Sequence, residues 1–71
     1  MRGMPVPQLE GYVARDVQPV NATKDYVCPE CGNPIPEGEG HVVVWPLEGN
    51  EDRRHWHRHC WRLAAGRGRI A

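Results

Sequence analysis

The chain has 71 residues and a formal net charge of zero at pH 7, with three tryptophans, two tyrosines and no phenylalanine. A single domain of this length buries little apolar surface, so it usually needs a disulfide, a bound metal or a partner for stability. The balanced charge excludes a protein that attracts nucleic acid through a large overall positive charge.

The charge is nevertheless distributed unevenly along the chain. Residues 1–50 carry 3 basic and 7 acidic side chains, a net charge of −4, and residues 51–71 carry 6 arginines and 2 acidic side chains, a net charge of +4. If the protein contacts nucleic acid, the charge pattern favours residues 51–71 as the contacting part.

No targeting or membrane segment is visible in the sequence. The N-terminus lacks the apolar run of a signal peptide, and no stretch approaches the roughly 20 apolar residues of a membrane span. We therefore expect a cytoplasmic protein without membrane contacts, in a compartment that keeps thiols reduced.

The N-terminal half contains two β-prone segments after a proline-rich start. Residues 1–10 are predicted to be a flexible segment. Residues 11–20 and 23–27 are rich in β-forming side chains, so we predict that they pair as a hairpin. Pro19 must then lie at a strand end or on an edge, because proline has no backbone N–H to donate.

A second hairpin is predicted in the middle of the chain. Residues 28–40 are rich in turn-forming residues, and residues 41–47 (His-Val-Val-Val-Trp-Pro-Leu) have the strongest strand pattern. After a turn at residues 48–52, residues 53–57 are expected to return antiparallel to that strand.

The cysteines indicate a metal site rather than a disulfide framework. There are three cysteines, and an odd number argues against a closed set of disulfides. Cys28 and Cys31 are three residues apart and are followed by Gly32, which is the form of a zinc knuckle. A redox dithiol is the alternative for this motif, but the thioredoxin-like fold that normally carries it needs a longer chain.

The second half of the predicted site lies on a helix. Residues 57–65 are predicted to form a short helix that ends at Gly66, followed by a C-terminal tail at residues 67–71. His57 and Cys60 are three residues apart, so their side chains share one face of the first turn. The full pattern C-x2-C-x25-H-x2-C predicts four metal ligands, namely Cys28, Cys31, His57 and Cys60.

Other histidines compete with His57 for the fourth position. His55 lies on the predicted strand, and His59 adjoins Cys60, from which it diverges by about 100° on a helix. For these two and for His41, exposure to solvent or a hydrogen bond to a ligand is the simpler interpretation.

These elements predict a small α+β domain over residues 11–66, stabilised by one structural zinc ion. The expected fold is a treble-clef-like finger, with a zinc knuckle, a β-hairpin, a short C-terminal helix and the additional N-terminal hairpin. Zinc is preferred over iron because the ligand set is Cys3His and no other redox machinery is visible. Four protein ligands close the coordination shell, so the ion is expected to stabilise the fold and not to catalyse a reaction.

The three tryptophans are predicted to divide between core and surface. Trp56 and Trp61 flank the ligand pair and are expected to pack around the metal. Trp45, followed by a proline near the end of the main strand, is the better candidate for an exposed contact.

Two known families share these motifs. The segment from Cys28 to Trp61 is similar to the first zinc module of LIM domains, in which C-x2-C is followed by W-H-x2-C and an aromatic residue. The resemblance implies a treble-clef-like module with the same four ligands. A LIM domain continues into a second C-x2-C finger, whereas this sequence continues with Arg-Leu-Ala-Ala-Gly, so LIM scaffold function is not implied.

A longer resemblance is to a family of short uncharacterised actinobacterial zinc-finger-like proteins that are often labelled ATP/GTP-binding. The segments that carry it are Ala22-Thr23-Lys24, Tyr26, Cys28-Pro29, Cys31, His41-Val42-Val43, Trp45-Pro46, Arg54-His55-Trp56-His57 and Cys60-Trp61. The label implies a nucleotide site, but the sequence has no G-x4-G-K-[ST] motif. Nucleotide binding is therefore not supported.

Three functions are consistent with these sequence features. The preferred one is a non-catalytic adaptor that docks on a protein or ribonucleoprotein assembly such as RNA polymerase or the ribosome. The alternative is a zinc finger that binds nucleic acid through its C-terminal arginines. Residues expected to contact a partner in either case are Arg53, Arg54, Arg58, Arg62, His59 and Trp45. A ββα-metal nuclease is the third reading, with His55 as the candidate base.

Overall fold

Two six-residue strands, β1 (Tyr12–Val17) and β4 (His41–Pro46), form the centre of the fold. The structure is a computed structural model that describes residues 6–49 and 52–68. The two strands pair antiparallel, with Tyr12 opposite Pro46 and Val17 opposite His41. A third strand, β5 (Arg54–Trp56), pairs antiparallel on the other side of β4, which gives a three-stranded sheet in the order β1-β4-β5.

The hairpin predicted between β4 and the returning strand is confirmed, but the predicted N-terminal hairpin is wrong. Residues 11–20 do not pair with residues 23–27, because β1 pairs with β4. A 3-10 turn at Pro19–Asn21 follows β1, where proline fixes the backbone and ends the strand. Pairing with β4 gives Ala14 a buried neighbour in Val44, which a two-stranded hairpin in solvent does not offer.

A second, two-stranded sheet holds the turn-rich segment. Strand β2 (Tyr26–Val27) pairs antiparallel with β3 (Pro34–Ile35), a strand that the sequence pattern did not predict. The two strands flank the segment that contains Cys28 and Cys31. This short ladder therefore closes the base of the cysteine turn.

One α-helix, α1 (Arg58–Arg67), follows β5 after a single residue. It was predicted to end at Gly66, but it continues to Arg67 and is capped by Gly68. Gly68 has the left-handed conformation (φ 80°) that glycine adopts without steric cost. Of the predicted tail, Arg67 is helical and residues 69–71 lie outside the described residues. Within the part of the chain that the structure describes, no helix has the length and apolar character needed to cross a membrane.

The core lies between the helix and one face of the sheet. Trp56 and Trp61 are 2% and 0% exposed, which confirms their predicted core position. Their rings pack edge to face with centroids 5.3 Å apart, a favourable geometry for aromatic pairs. The cluster also contains two cysteines and several aliphatic residues, namely Ala14, Cys28, Ile35, Val42, Val44, Cys60 and Ala64.

The N-terminal segment contributes to this core. Residues 1–10 were expected to be flexible; residues 1–5 lie outside the described residues, whereas Val6 and Leu9 pack against the buried cluster. The indole Nε1–H of Trp61 donates a hydrogen bond to the carbonyl of Pro7 at 2.7 Å. The start of the described chain is thus tied to its last helix.

Candidate metal centre

The first two candidate ligands lie on a tight turn that its own backbone closes. The amide of Gly32 donates to the carbonyl of Cys28 at 2.8 Å, and the amide of Cys28 donates to the carbonyl of Asn33 at 3.0 Å. Gly32 has a φ of 74°, which a residue with a Cβ adopts only with strain. The turn therefore holds Cys28 and Cys31 on the same side of the backbone reversal.

The other two candidate ligands lie at the start of α1. His57 is the N-cap residue, with an extended backbone, and Cys60 lies in the first helical turn. Strand β5 ends at Trp56, directly before His57. Because β5 pairs with β4, the sheet fixes where the helix begins and brings its first turn to the cysteine turn.

All four predicted ligands meet at one place. The three sulfurs and the nearest ring nitrogen of His57 lie within 4.8 Å of one another. Cys28 and Cys60 are buried, and Cys31 is exposed. A cluster of three sulfurs and one imidazole nitrogen at this spacing is compatible with one metal ion.

The hydrogen bonds of His57 determine which of its nitrogens faces the sulfurs. Nε2 lies 3.2 Å from the carbonyl oxygen of Pro34, and a carbonyl only accepts, so Nε2 carries the hydrogen. In the neutral ring Nδ1 is then the nitrogen without a hydrogen, and it lies 3.4 Å from Sγ of Cys31 and 3.8 Å from Sγ of Cys60. A neutral imidazole with its free lone pair toward the sulfurs is prepared to bind a metal through Nδ1.

The surroundings of the thiols have opposite effects on two of them. Burial alone would raise the pKa of Cys28, but hydrogen bonds from the backbone of His57, Cys31 and Glu30 lower that pKa to about 7. Burial, together with hydrogen bonds and charge interactions with Cys31 and Cys28, raises the pKa of Cys60 to about 12. Charging all three sulfurs together therefore requires a compensating cation, which fits a divalent metal ion at their centre.

The sequence matches a known protein family over most of its length. Residues 6–62 match the model of a family described as Rv1322 family protein, and this match covers more than half of the chain. The chain belongs to the Rv1322 family.

Relatives of this member of the Rv1322 family occur in mycobacteria. The proteins described as uncharacterised proteins Rv1322, from Mycobacterium tuberculosis H37Rv, and Mb1356, from Mycobacterium bovis, are each 46% identical to it over 66 residues. Each match covers 87% of this chain and 67% of the relative. No solved structure shows significant similarity to it. The expected kinship with small actinobacterial proteins is confirmed, and the zinc-finger character of the family stays a prediction.

A second histidine cluster, which the sequence did not indicate, lies apart from the four ligands. His41 is fully buried, although it was expected at the surface or beside a ligand. Its Nδ1–H donates to the carbonyl of Glu39 at 2.9 Å, so its Nε2 accepts a hydrogen bond from Nδ1–H of His55 at 2.7 Å. The Tyr26 ring stacks on His55, with centroids 3.5 Å apart.

This cluster keeps His55 neutral. Burial, together with the charges of the nearby His41 and Arg53, lowers the pKa of His55 to about 4. A base of such low pKa is poorly matched to proton abstraction near neutral pH. The Nδ1–H of His41 is bonded to a backbone carbonyl, and such a partner leaves no mark in the sequence. The only sequence signal for burial of His41 is therefore its position at the start of an apolar strand.

The predicted partner-contact residues differ in their availability. Arg58 makes two hydrogen bonds to the carboxylate of Asp16, at 2.8 and 3.1 Å. Arg67, which also belongs to the arginine-rich basic region of residues 51–71, forms an ion pair with Glu30 at 2.6 Å. The guanidinium carbon of Arg53 lies 4.3 Å from the centroid of the half-buried Trp45 ring. The remaining predicted contacts are exposed, namely Arg54, His59 and Arg62.

Proposed function

We propose that the four-residue cluster binds one structural zinc ion and that the domain around it is a treble-clef-like finger. The observation that carries the proposal is the approach of all four ligand atoms to within 4.8 Å of one another. The elements occur in the matching order: a cysteine turn, the hairpin β4–β5, and a helix whose first turn supplies the last two ligands. A Cys3His set favours zinc over hard cations, which prefer oxygen ligands.

The proposed ion has a structural role. Four protein ligands leave no open position for a substrate or an activated water molecule. The site joins the cysteine turn to the helix, two parts of the chain that are 26 residues apart at the pair Cys31 and His57. Zinc bound there contributes its binding free energy to folding.

The proposed function is that of an adaptor that docks on a larger protein assembly. Two arginines of the basic region, Arg58 and Arg67, are already in ion pairs within the domain. A phosphate backbone would have to displace Asp16 and Glu30 from them, which weakens the case for nucleic acid.

The exposed side of α1 is the proposed contact surface. Cys60, Trp61 and Ala64 form its buried side, whereas His59, Arg62 and Leu63 face away from the core. Leu63 is 50% exposed, and an apolar side chain between two polar ones is suited to a protein interface.

Metal content tests the zinc proposal directly. The protein purified with zinc is expected to contain about one equivalent, and Cys60→Ser is expected to lose it because the site then lacks a thiolate. His59→Ala, one residue away and exposed, is the matched control and should keep the ion. Loss of zinc in His59→Ala together with its retention in His57→Ala would contradict the ligand assignment.

Affinity capture from cell lysate, with and without nuclease, tests the adaptor proposal. Capture of the same partner after nuclease treatment, with weak dependence on salt, is expected for a protein interface. Leu63→Glu should abolish it, whereas Val20→Glu, at an 83% exposed position outside α1, should not. Binding that disappears with nuclease and falls steeply as salt rises would instead favour nucleic acid.

A further inference from the structure

We propose that Cys31 is an oxidation site, at which a peroxide starts the conversion of the metal centre to a disulfide and thereby releases the ion. This inference rests on the proposed zinc site and adds a chemical sensitivity to it. Two features carry it: the unequal burial of the three cysteines and the short distances within the cluster.

Cys31 is the ligand that a small oxidant can reach. It is exposed, whereas Cys28 is 0% and Cys60 is 3% exposed. Thiolate character and access together decide which cysteine is oxidised. Binding to zinc keeps all three sulfurs as thiolates, so access is what distinguishes them, and it selects Cys31.

The residues needed to complete a disulfide are already beside Cys31. The ligand atoms of Cys28 and Cys60 lie within 4.8 Å of the others in the cluster. A sulfur–sulfur bond is about 2.05 Å long, so a small approach of the sulfurs brings a second thiolate to an oxidised Cys31. The thiols of Cys28 and Cys60 are therefore available to resolve an oxidised Cys31.

The proposed reaction balances with a peroxide as the oxidant. The Cys31 thiolate attacks one peroxide oxygen, the O–O bond breaks, and a sulfenic acid and a hydroxide form. The thiolate of Cys28 or Cys60 then attacks the sulfur of Cys31, and the S–O bond breaks with loss of a second hydroxide. The two sulfurs together lose two electrons, and both hydroxides take a proton from solvent to become water.

Release of the ion follows from the loss of two ligands. After the disulfide forms, one cysteine and His57 remain, and the sulfurs in the disulfide are no longer thiolates. Zinc bound by two residues exchanges with water far more readily than zinc bound by four. The start of α1 then loses the ion that joins it to the cysteine turn.

The first experiment identifies the cysteine that reacts first. Zinc-loaded protein is treated with one equivalent of hydrogen peroxide in the presence of dimedone, which traps sulfenic acids, and is then mapped by mass spectrometry. The adduct is expected on Cys31, and without dimedone a disulfide that includes Cys31 is expected. A first adduct on Cys28 or Cys60 would overturn the proposal.

The second experiment measures zinc release with a chromophoric chelator. Peroxide is expected to release about one equivalent from the wild-type protein, and a thiol reductant with added zinc should restore the site. Cys31→His keeps a fourth ligand without the exposed sulfur and is expected to release zinc at least tenfold more slowly. Equal release rates would overturn the proposal; if this variant fails to bind zinc, the adduct map of the wild-type protein decides.

These outcomes separate the two proposals. A wild-type protein that binds no zinc contradicts the metal centre itself. A protein that binds one zinc and retains it in excess peroxide leaves the metal centre in place and contradicts only the role of Cys31.

Discussion

The ring of His57 shows how one backbone carbonyl can determine which imidazole nitrogen is available to a metal. The acceptor at Pro34 fixes the hydrogen on Nε2, and the lone pair on Nδ1 faces the sulfurs of Cys31 and Cys60. Glu39 lies farther away, with its carboxylate 4.0 Å from Nε2. The position of the hydrogen is thus determined by the fold before any ion binds.

We predict that zinc binds His57 through Nδ1. In protein labelled with ¹⁵N at histidine, addition of zinc should shift the Nδ1 resonance of His57, while Nε2 remains protonated through its bond to Pro34. His59 is exposed at the surface and serves as the internal control, since neither of its nitrogens should respond. A metal-bound Nε2 would contradict the tautomer inferred from the hydrogen bonds.

We predict that His55 titrates with a pKa of about 4 in the folded protein. The unfolded chain takes up a proton near pH 6.5, so His55 reduces the stability of the fold as the pH falls from about 6.5 to about 4. Above this window His55 itself contributes no pH dependence to the stability. The measurement is an NMR titration of the His55 ring at saturating zinc, repeated in urea. A titration midpoint of His55 near pH 6.5 in the folded protein would contradict its partly buried contact with His41.

Two glycines at the end of α1 differ in what they require from the backbone. Gly66 lies inside the helix, and Gly68 is the left-handed cap. A Cβ built at either position meets no atom within 4 Å. Backbone conformation alone therefore distinguishes them.

We predict opposite effects for alanine at these two positions. Gly66→Ala should stabilise the protein by about 0.5–1 kcal/mol, because alanine favours the helix interior. Gly68→Ala should destabilise it by roughly 1 kcal/mol, because alanine strains a left-handed backbone. Urea unfolding in excess zinc measures both changes. Stabilisation by both substitutions would show that the helix does not end at Gly68.

Local spacing explains which elements the sequence could predict. Each of the two candidate ligand pairs, and the β4–β5 hairpin, depends on residues close to one another in the chain. The hairpin forms as predicted, and the four candidate ligands lie within 4.8 Å of one another. The pairing of β1 with β4 joins residues far apart, and many partners satisfy the same alternation of side chains. Strand β3 has two residues, too few for a periodic pattern. The helix end was misjudged because Gly66 and Gly68 give the same signal until the backbone angles are known.

At the scale of the whole molecule, the candidate centre and the core are one structure. Cys28 and Cys60 belong to the buried cluster that contains Trp56 and Trp61. Two sulfurs of the candidate centre thus belong to residues of the same buried cluster as the tryptophans. Stability of the core and occupancy of the site are therefore expected to change together.

We predict that a strong chelator unfolds the domain cooperatively. Helical circular dichroism and the fluorescence of the buried tryptophans should change together, and zinc but not magnesium should restore both, because magnesium prefers oxygen ligands. Cys60→Ser should resemble the chelated protein even with zinc present. An unchanged spectrum after verified removal of the metal would contradict the coupling of binding and folding.

The hydrogen bond between Trp61 and Pro7, residues 54 positions apart, has a consequence for the order of events during translation. Two candidate ligands, His57 and Cys60, and the indole of Trp61 emerge from the ribosome after all the strands. A nascent chain that has stopped directly before His57 contains all the strands but only two of the four candidate ligands, Cys28 and Cys31. We therefore expect zinc to bind the proposed site only after the first turn of α1 has been synthesised.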